Sequence, residues 1–193
     1  MVQKEQKELD GLKTRIIDLS KKVYEELGGY GWYGEDELKN ALAKEFRDHR
    51  IAYLQELSIP IIYKKQQIKM GEIDFIVFTK NGMGILLEIK HTAGEINSSP
   101  IHQAIEYFKA LTCKDSPAPA FLKKNVKEII VFNWEINKDA LVSKLKPEPE
   151  QIKKPFKEFE KYFKNIHTYE IFGIEKDKKG KVKEHNISDE NPE

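Results

Sequence analysis

The stretch from Met70 to Thr92, MGEIDFIVFTKNGMGILLEIKHT, contains two apolar runs separated by a turn signal, Lys80-Asn81-Gly82. The runs have the length and the Ile, Val, Phe and Leu content of buried strands. Each run nevertheless carries charge, because Asp74 lies within the first, and Glu88 and Lys90 close the second. Ionised side chains are costly to bury, so these three residues require either close partners or a function.

The geometry of a hairpin decides whether the charged side chains meet. Residues two apart on a strand project from one face, so Glu88 and Lys90 point together. Directly opposite residues of antiparallel strands also share a face. A three-residue loop, Lys80 to Gly82, places Asp74 opposite Glu88, whereas a two-residue loop places it on the wrong face. We therefore predict an odd-numbered loop or a glycine bulge, for which Gly82 and Gly84 are available.

Two carboxylates and an ammonium on one sheet face suit a particular chemistry. Adjacent carboxylates repel each other unless a cation lies between them, and Mg²⁺ prefers oxygen ligands. A neighbouring lysine stabilises charge that develops on a phosphate or orients the attacking water. The alternative is a buried ion pair without chemistry, which is a poor stabiliser because desolvation offsets its attraction. The pattern favours metal-assisted hydrolysis of phosphodiester bonds, with Asp74 and Glu88 as metal ligands.

Composition limits the classes of protein to consider. The 193 residues, 39% of them hydrophobic, are sufficient for one domain with a core of its own. Lys and Arg number 33 against 32 Asp and Glu, so any surface that binds nucleic acid is a local patch. The single cysteine, Cys113, excludes an internal disulfide and a four-cysteine iron–sulfur cluster. No apolar run has the length of a membrane span, and we expect a cytoplasmic protein.

Periodicity indicates the elements around the charged hairpin. A first amphipathic helix ends at Gly28-Gly29, and a second runs from about Glu35 to Arg50. Ala52 to Tyr63 is predicted to be a strand, with its proline at a sheet edge or bulge. The first helix carries Leu9, Leu12, Ile16, Leu19, Val23 and Leu27 on one face, and the second carries Leu38, Leu42, Phe46 and His49.

The second half of the chain contains fewer strong signals. Ser99-Pro100 predicts a helix start, with that helix continuing through Leu111, and Lys127 to Asn133 predicts a buried strand. The expected fold class is α/β, with a mixed sheet flanked by helices and an α+β extension at the C-terminus. We assign 1–135 to the core, 136–183 to an extension packed on it, and 184–193 to a polar, disordered tail. The extension is predicted to contain a helix with Ile152, Phe156, Phe159 and Phe163 inward, then a hairpin from His167–Glu175 and Gly180–Lys183.

The charged residues resemble the bipartite motif of the PD-(D/E)XK nuclease superfamily. Ile73-Asp74 and Glu88-Ile89-Lys90 fit that motif, with isoleucine where its first proline often stands. The region upstream is similar to the GxxExxY branch, and Glu35 falls where the branch has its helical glutamate. Glu37 is the alternative, because the spacing from Gly31 is one residue too long and a leucine replaces the tyrosine. We favour Glu35, which lies on the inward stripe of its helix.

A second element fits the RecB-like nucleases of the same superfamily. Gln103 and Tyr107 match the Gln-x-x-x-Tyr pattern found after their catalytic strand, and the four-residue spacing puts both side chains on one helix face. Packing at the edge of the core explains this pair equally well. Some of those nucleases carry an iron–sulfur cluster, and this chain lacks the cysteines for one.

The resemblance implies a restriction-endonuclease-like fold and a Mg²⁺-dependent deoxyribonuclease, in which Mn²⁺ substitutes for Mg²⁺. Asp74, Glu88 and Glu35 would hold the metal together with the carbonyl of Ile89, and Lys90 would assist the attacking water. Gln103 and Tyr107 would contact the DNA or position the lysine. DNA repair, recombination or defence is the expected setting. The alternatives are a Holliday-junction-type resolvase, which requires a symmetric homodimer, and an inactive nucleic-acid-binding module of the same fold.

Overall fold

The computed structural model describes residues 2–28, 33–92, 98–134, 171–176 and 182–186. In this part of the chain, six strands form one mixed sheet whose spatial order follows the sequence. Neighbouring strands are antiparallel except for the central third and fourth strands, which are parallel. The strands are β1 (Ala52–Tyr63), β2 (Gln66–Phe78), β3 (Gly84–Lys90), β4 (Val126–Asn133), β5 (Ile171–Lys176) and β6 (Val182–Asn186).

Helices cover both faces of this sheet. On one face lie α1 (Val2–Val23), which continues into a π-helical turn at Tyr24–Gly28, and α2 (Glu35–Asp48). The other face is covered by α3 (Ser98–Thr112) and the short α4 (Ala120–Asn125). The predicted α/β class with a mixed, helix-flanked sheet is therefore confirmed. Among the described residues no helix combines the length and the apolar character needed to cross a bilayer.

Two hydrophobic clusters divide the core between the faces. Residues of β3 alternate between the clusters, which is why this strand reads as a continuous apolar run and is buried along nearly its whole length. The cluster beneath α1 and α2 includes Ile16, Leu38, Leu42, Phe46, Phe75, Leu87, Phe132 and Trp134. The cluster beneath α3 includes Ile59, Ile76, Leu86, Leu111 and Ile129.

The hairpin between β2 and β3 has the odd-numbered loop that the charge pattern required. The strand pairing runs to Phe78 and Gly84, and the Thr79 N–H then donates to the Met83 carbonyl at 2.8 Å. Lys80 to Gly82 is therefore a three-residue loop, whose glycine has a φ of +82°. Glycine adopts that left-handed conformation without steric cost, so the position favours it over other residues. Continuing the same register brings Asp74 opposite Glu88.

The edge strand β1 has the predicted bounds and several irregularities. It pairs only with β2 among the described strands, which places Pro60 where its missing N–H is tolerated. The register shifts between Ile61 and Ile62, and Glu56 has a φ of +54°. The hairpin joining β1 to β2 turns through Lys64 and Lys65, whose φ values of +47° and +67° are both left-handed.

Other boundaries differ from the predictions. The first helix begins at Val2. Strand β2 begins at Gln66, before the apolar run from which it was predicted, and its exposed first half has no apolar alternation that would indicate a strand. The prediction of His49 on the buried stripe is wrong, because this residue follows the end of α2 and its side chain is 44% exposed. Helix α4 had not been predicted.

The C-terminal hairpin is confirmed as the pair β5–β6. It extends the core sheet from β4, and its second strand runs to Asn186, three residues into the segment assigned to the tail. The predicted helix with Ile152, Phe156, Phe159 and Phe163 lies outside the described residues.

A close approach at Gly71 tests the packing of α3 on the sheet. A Cβ at this position would lie 2.3 Å from Cε1 of Tyr107, so Gly71→Ala should displace the ring and lower the free energy of unfolding by about 1–3 kcal/mol. In contrast, a Cβ at Gly11 in α1 would meet no other atom within 4 Å, and Gly11→Ala should raise stability by about 0.5–1 kcal/mol. Urea unfolding measures both. Equal stability of Gly71→Ala and the wild type would show that the ring moves aside freely.

Candidate active site

The candidate site begins where β2 and β3 separate. Their described pairing ends at Phe75 and Leu87. Beyond that point the Ile89 N–H donates to Oδ2 of Asp74 at 2.7 Å, so a side chain takes the place of the next backbone acceptor. The carboxylate of Asp74 is buried and its position is fixed by the sheet itself.

Glu88 carries the least satisfied charge of the site. Its side chain is 1% exposed, and its Oε1 lies 2.7 Å from Nζ of Lys90. Its Oε2 is buried and has no hydrogen-bond partner among the described residues. Burial and repulsion by Asp74 raise the pKa of Glu88 to about 7, although Lys90 opposes the shift. The carboxyl group therefore needs a further positive charge to be stable in its ionised form.

Lys90 is a charged group at neutral pH. Burial opposes its charge, but Glu88, Glu35 and Asp74 outweigh that effect and raise the pKa of the lysine. Its side chain keeps 21% of its surface exposed, whereas that of Glu88 is almost completely buried. A permanently protonated lysine is a hydrogen-bond donor and an electrostatic stabiliser rather than a base.

The structure distinguishes the two candidate glutamates of α2. Glu35 faces the site, because its Oε2 accepts the His91 N–H at 3.2 Å and its Oε1 lies 3.9 Å from Nζ of Lys90. Glu37 instead accepts the Gly34 N–H at 2.8 Å and thereby caps the start of the helix. The preference for Glu35 as a site residue agrees with this geometry. Its role as a direct metal ligand stays a prediction.

Lys39 is a site residue that the sequence analysis missed. Its Nζ lies 3.2 Å from Oδ1 of Asp74, 3.1 Å from Oδ1 of Asp36 and 3.6 Å from Oε1 of Glu35. Burial opposes the charge, but Asp74, Asp36 and Glu35 together raise the pKa of this lysine. Its spacing from Glu35 and its position after the buried Leu38 were the available signals, and both are weak in a lysine-rich chain.

Gln103 and Tyr107 lie on α3 and contact each other. The Gln103 amide donates to the Tyr107 hydroxyl at 3.0 Å, and the tyrosine ring is largely buried against the sheet. The partners of Lys90 are Glu88 and Glu35 instead, so the described contacts do not support positioning of this lysine by α3. The pair lines an open cavity of about 560 Å³ together with Lys69, Ser99, His102 and Glu106.

His91, which follows the Glu-x-Lys strand end, is held by the backbone. Its Nδ1 lies 2.5 Å from the carbonyl oxygen of Trp134, and because a carbonyl can only accept, Nδ1 carries the proton. Its Nε2 is buried and has no hydrogen-bond partner in the described part of the chain. The ring therefore anchors the end of β3 to the residue that follows β4.

The donor set fits a divalent cation held by few protein ligands. Across the described residues, no three His, Cys, Asp or Glu side chains gather into a group that holds a metal by itself. Mg²⁺ is commonly bound by only one or two carboxylates, with water and substrate phosphate completing its shell. Asp74 and the unpartnered oxygen of Glu88 provide two carboxylates. The Ile89 N–H points toward Asp74, and the carbonyl of a strand residue points the same way as its N–H.

A comparison with protein families covers the part of the chain that carries this site. A family model described as PD-(D/E)XK nuclease superfamily matches residues 10–130, which is more than half of the chain and includes Glu35, Asp74, Glu88 and Lys90. The mixed, helix-flanked sheet is of the restriction-endonuclease-like class. The chain belongs to the PD-(D/E)XK nuclease superfamily. Neither a curated protein nor a solved structure matches the chain significantly.

The raised pKa of Glu88 predicts a pH-dependent stability of the metal-free protein. The group titrates at about 7 when folded against 4.5 ordinarily, so the folded chain binds the proton more tightly and loses stability as pH rises between those values. Glu88→Gln removes this loss. We expect its stability advantage over the wild type to be about 2 kcal/mol larger at pH 8 than at pH 5.

Urea unfolding with a chelator present at both pH values measures this difference. Glu72→Gln, which changes an exposed glutamate on β2, serves as the control and should show no such advantage. A Glu88→Gln advantage that is the same at pH 5 and pH 8 would contradict the burial of an ionised carboxylate at this position.

Proposed function

We propose that the protein is a metal-dependent nuclease that hydrolyses DNA phosphodiester bonds, with Mg²⁺ as the metal and Mn²⁺ as a substitute. One observation carries the proposal: a buried oxygen of Glu88, which has no hydrogen-bond partner in the described part of the chain, lies in a site with Asp74 and Lys90. Asp74, Glu88 and the Ile89 carbonyl would hold the cation. When bound, a divalent cation supplies Lewis-acid polarisation of the phosphate and makes nearby water more acidic.

Lys90 has the properties of a transition-state stabiliser in this reaction. Its side chain is partly exposed, and its charged ammonium lies 2.7 Å from Glu88, beside the position proposed for the cation. A hydrogen bond from this group to a phosphate oxygen strengthens as negative charge accumulates there. We assign to Lys90 the orientation of the attacking water and the stabilisation of that charge.

The contacts of Glu35 support a role in the proposed site. It accepts a hydrogen bond from the His91 backbone and pairs with Lys90 and Lys39, so it links the start of α2 to the end of β3. We propose that it orients both lysines, and that it reaches the cation directly or through a water molecule. Either role makes Glu35 more important for activity than the helix cap Glu37.

DNA is the substrate that the family favours. The cavity beside Gln103 and Tyr107 offers an amide, a hydroxyl and Lys69 on the α3 side of the sheet, and we propose that this surface contacts the substrate. The Lys69 ammonium is paired with Glu106 at 2.6 Å, and the Gln103 amide donates to the Tyr107 hydroxyl at 3.0 Å. Substrate contacts would therefore use the remaining donors and acceptors of these groups. DNA repair, recombination or defence is the proposed setting.

Two variants separate metal binding from catalysis. Asp74→Asn should lose both Mn²⁺ binding and cleavage, because it removes a ligand charge from the site. Lys90→Ala should retain Mn²⁺ binding, since an ammonium is no ligand, and should lower single-turnover cleavage by about 10²–10³-fold. Cleavage of labelled single-stranded, duplex and branched DNA, with calorimetric Mn²⁺ titration in parallel, measures both effects.

The wild-type protein with a chelator is the control for these assays, and Lys44→Ala on the exposed face of α2 is the matched lysine variant. Wild-type cleavage by Lys90→Ala would remove this lysine from the mechanism. Binding of DNA without cleavage by the wild type in any divalent metal would favour the binding module, and selective cleavage of branched DNA by a dimer would favour the resolvase.

The two glutamates of α2 provide a second test. Glu35→Ala should lower cleavage by at least about tenfold, because it removes contacts to Lys90 and to the His91 backbone within the site. Glu37→Ala should leave cleavage unchanged and lower stability by about 0.5–1 kcal/mol, because it removes a helix cap. Single-turnover rates and urea unfolding of both variants check the assignment. The reverse order of activities would make Glu37 the site residue.

A further inference from the structure

Lys39 lies on α2, where a lysine side chain is expected to reach solvent, but this side chain is buried. Its side chain is only 7% exposed, although it carries a full charge. Three carboxylates lie 3.1–3.6 Å from its Nζ: those of Asp74 and Glu35 belong to the site, and that of Asp36 is 80% exposed. These described residues do not form a metal site by themselves, but a compact cation held by carboxylate oxygens has the kind of partners that a divalent metal ion takes.

The two lysines of the site differ in burial. The side chain of Lys90 is 21% exposed and pairs with Glu88. Lys39 is more deeply buried and directs its ammonium to Asp74, on the α2 side of the site. Lys39 therefore contributes positive charge to the carboxylates from a more enclosed position than Lys90 does.

The charges of the site show what this contribution does. Glu35, Asp74, Glu88 and the more exposed Asp36 provide four carboxylates against the two ammonium groups of Lys39 and Lys90, an excess of two when all are ionised. One divalent cation balances that excess. Without the ammonium of Lys39, the excess would be three negative charges, and the oxygens that it contacts would be open to a second cation.

We infer that Lys39 occupies the place of a second metal ion and limits the centre to one divalent cation per chain. This inference rests on the proposed function, because it takes Asp74 and Glu88 as the metal-binding carboxylates. Lys39 is then a positioning residue: it fixes Oδ1 of Asp74 and leaves its Oδ2, the Ile89 carbonyl and Glu88 to face the single cation. The competing explanation is an ion pair that only fastens α2 to the sheet.

Mn²⁺ stoichiometry distinguishes the two explanations, because a merely structural ion pair does not change it. Calorimetric titration and electron paramagnetic resonance of free Mn²⁺ count the ions bound by the full chain. We expect one Mn²⁺ for the wild type and two for Lys39→Met, with the first ion bound about tenfold or more tightly because a nearby positive charge is gone. Lys44→Met, which changes an exposed lysine of the same helix, should bind one ion with wild-type affinity.

Lys39→Arg keeps the charge and should also bind one ion, which provides a second measurement if the methionine variant does not fold. Two ions bound by the wild type, or two by Lys39→Arg, would overturn the inference. One ion bound by a folded Lys39→Met would overturn it too and leave the structural ion pair.

These results separate the inference from the proposed function. Two Mn²⁺ ions in a wild-type protein that cleaves DNA would reject only the single-ion inference. One ion in the wild type and two in Lys39→Met, without cleavage of any nucleic acid, would support the inference and reject the nuclease activity.

Discussion

The hydrogen bond from the Ile89 amide to the Asp74 carboxylate is the interaction on which the site depends. It forms where β2 separates from β3, so the carboxylate accepts a hydrogen bond that a backbone carbonyl of β2 would otherwise accept. Because the acceptor is a charged side chain, this bond is stronger than the backbone bond that it replaces. It also fixes the first carboxylate relative to the strand that carries Glu88 and Lys90. The site thus lies where the two strands separate, and Asp74 connects them at that point.

Charge balance is the second constraint on this region. Burial of Glu88 beside Asp74 is unfavourable, and the two lysines compensate only part of the negative charge. The fold tolerates this because the sheet around it is heavily apolar and β3 is buried on both faces. The two large hydrophobic clusters stabilise the fold, and this stabilisation offsets the unfavourable burial of charge in the small polar site. The cost falls on the metal-free state, which favours binding of a cation.

Most of the sheet and part of the site could be predicted from the sequence. The apolar runs of β3 and β4 are unambiguous, and the parity of the loop at Gly82 follows from the requirement that Asp74 and Glu88 meet. Lys39 could not be predicted, because its burial depends on how α2 packs across β2, and local spacing does not encode that distance. Helix α4 was also missed, since its six residues carry too little periodicity.

The first half of β2 shows the same limit. It is an exposed strand without alternation, and it forms because β1 pairs with it along its whole length.

The Gln103–Tyr107 pair was interpreted in two ways, as a substrate contact or as packing. The described contacts show the packing directly, and the substrate contact stays a proposal. Sequence patterns therefore indicate which residues face a core. They are a poor guide to which helix side chain contacts a residue on a neighbouring strand.

The irregularities of β1 have a consequence for the solubility of folded chains. A 12-residue edge strand presents a long row of unpaired amides and carbonyls, which can template open-ended association with a second sheet edge. Pro60 removes one donor from that row, the shift at Ile61 and Ile62 bends it, and the left-handed backbone of Glu56 interrupts it near the middle. These irregularities divide the strand into shorter segments, which pair less readily with a second sheet edge than a continuous strand would. They therefore oppose edge-to-edge association of folded chains.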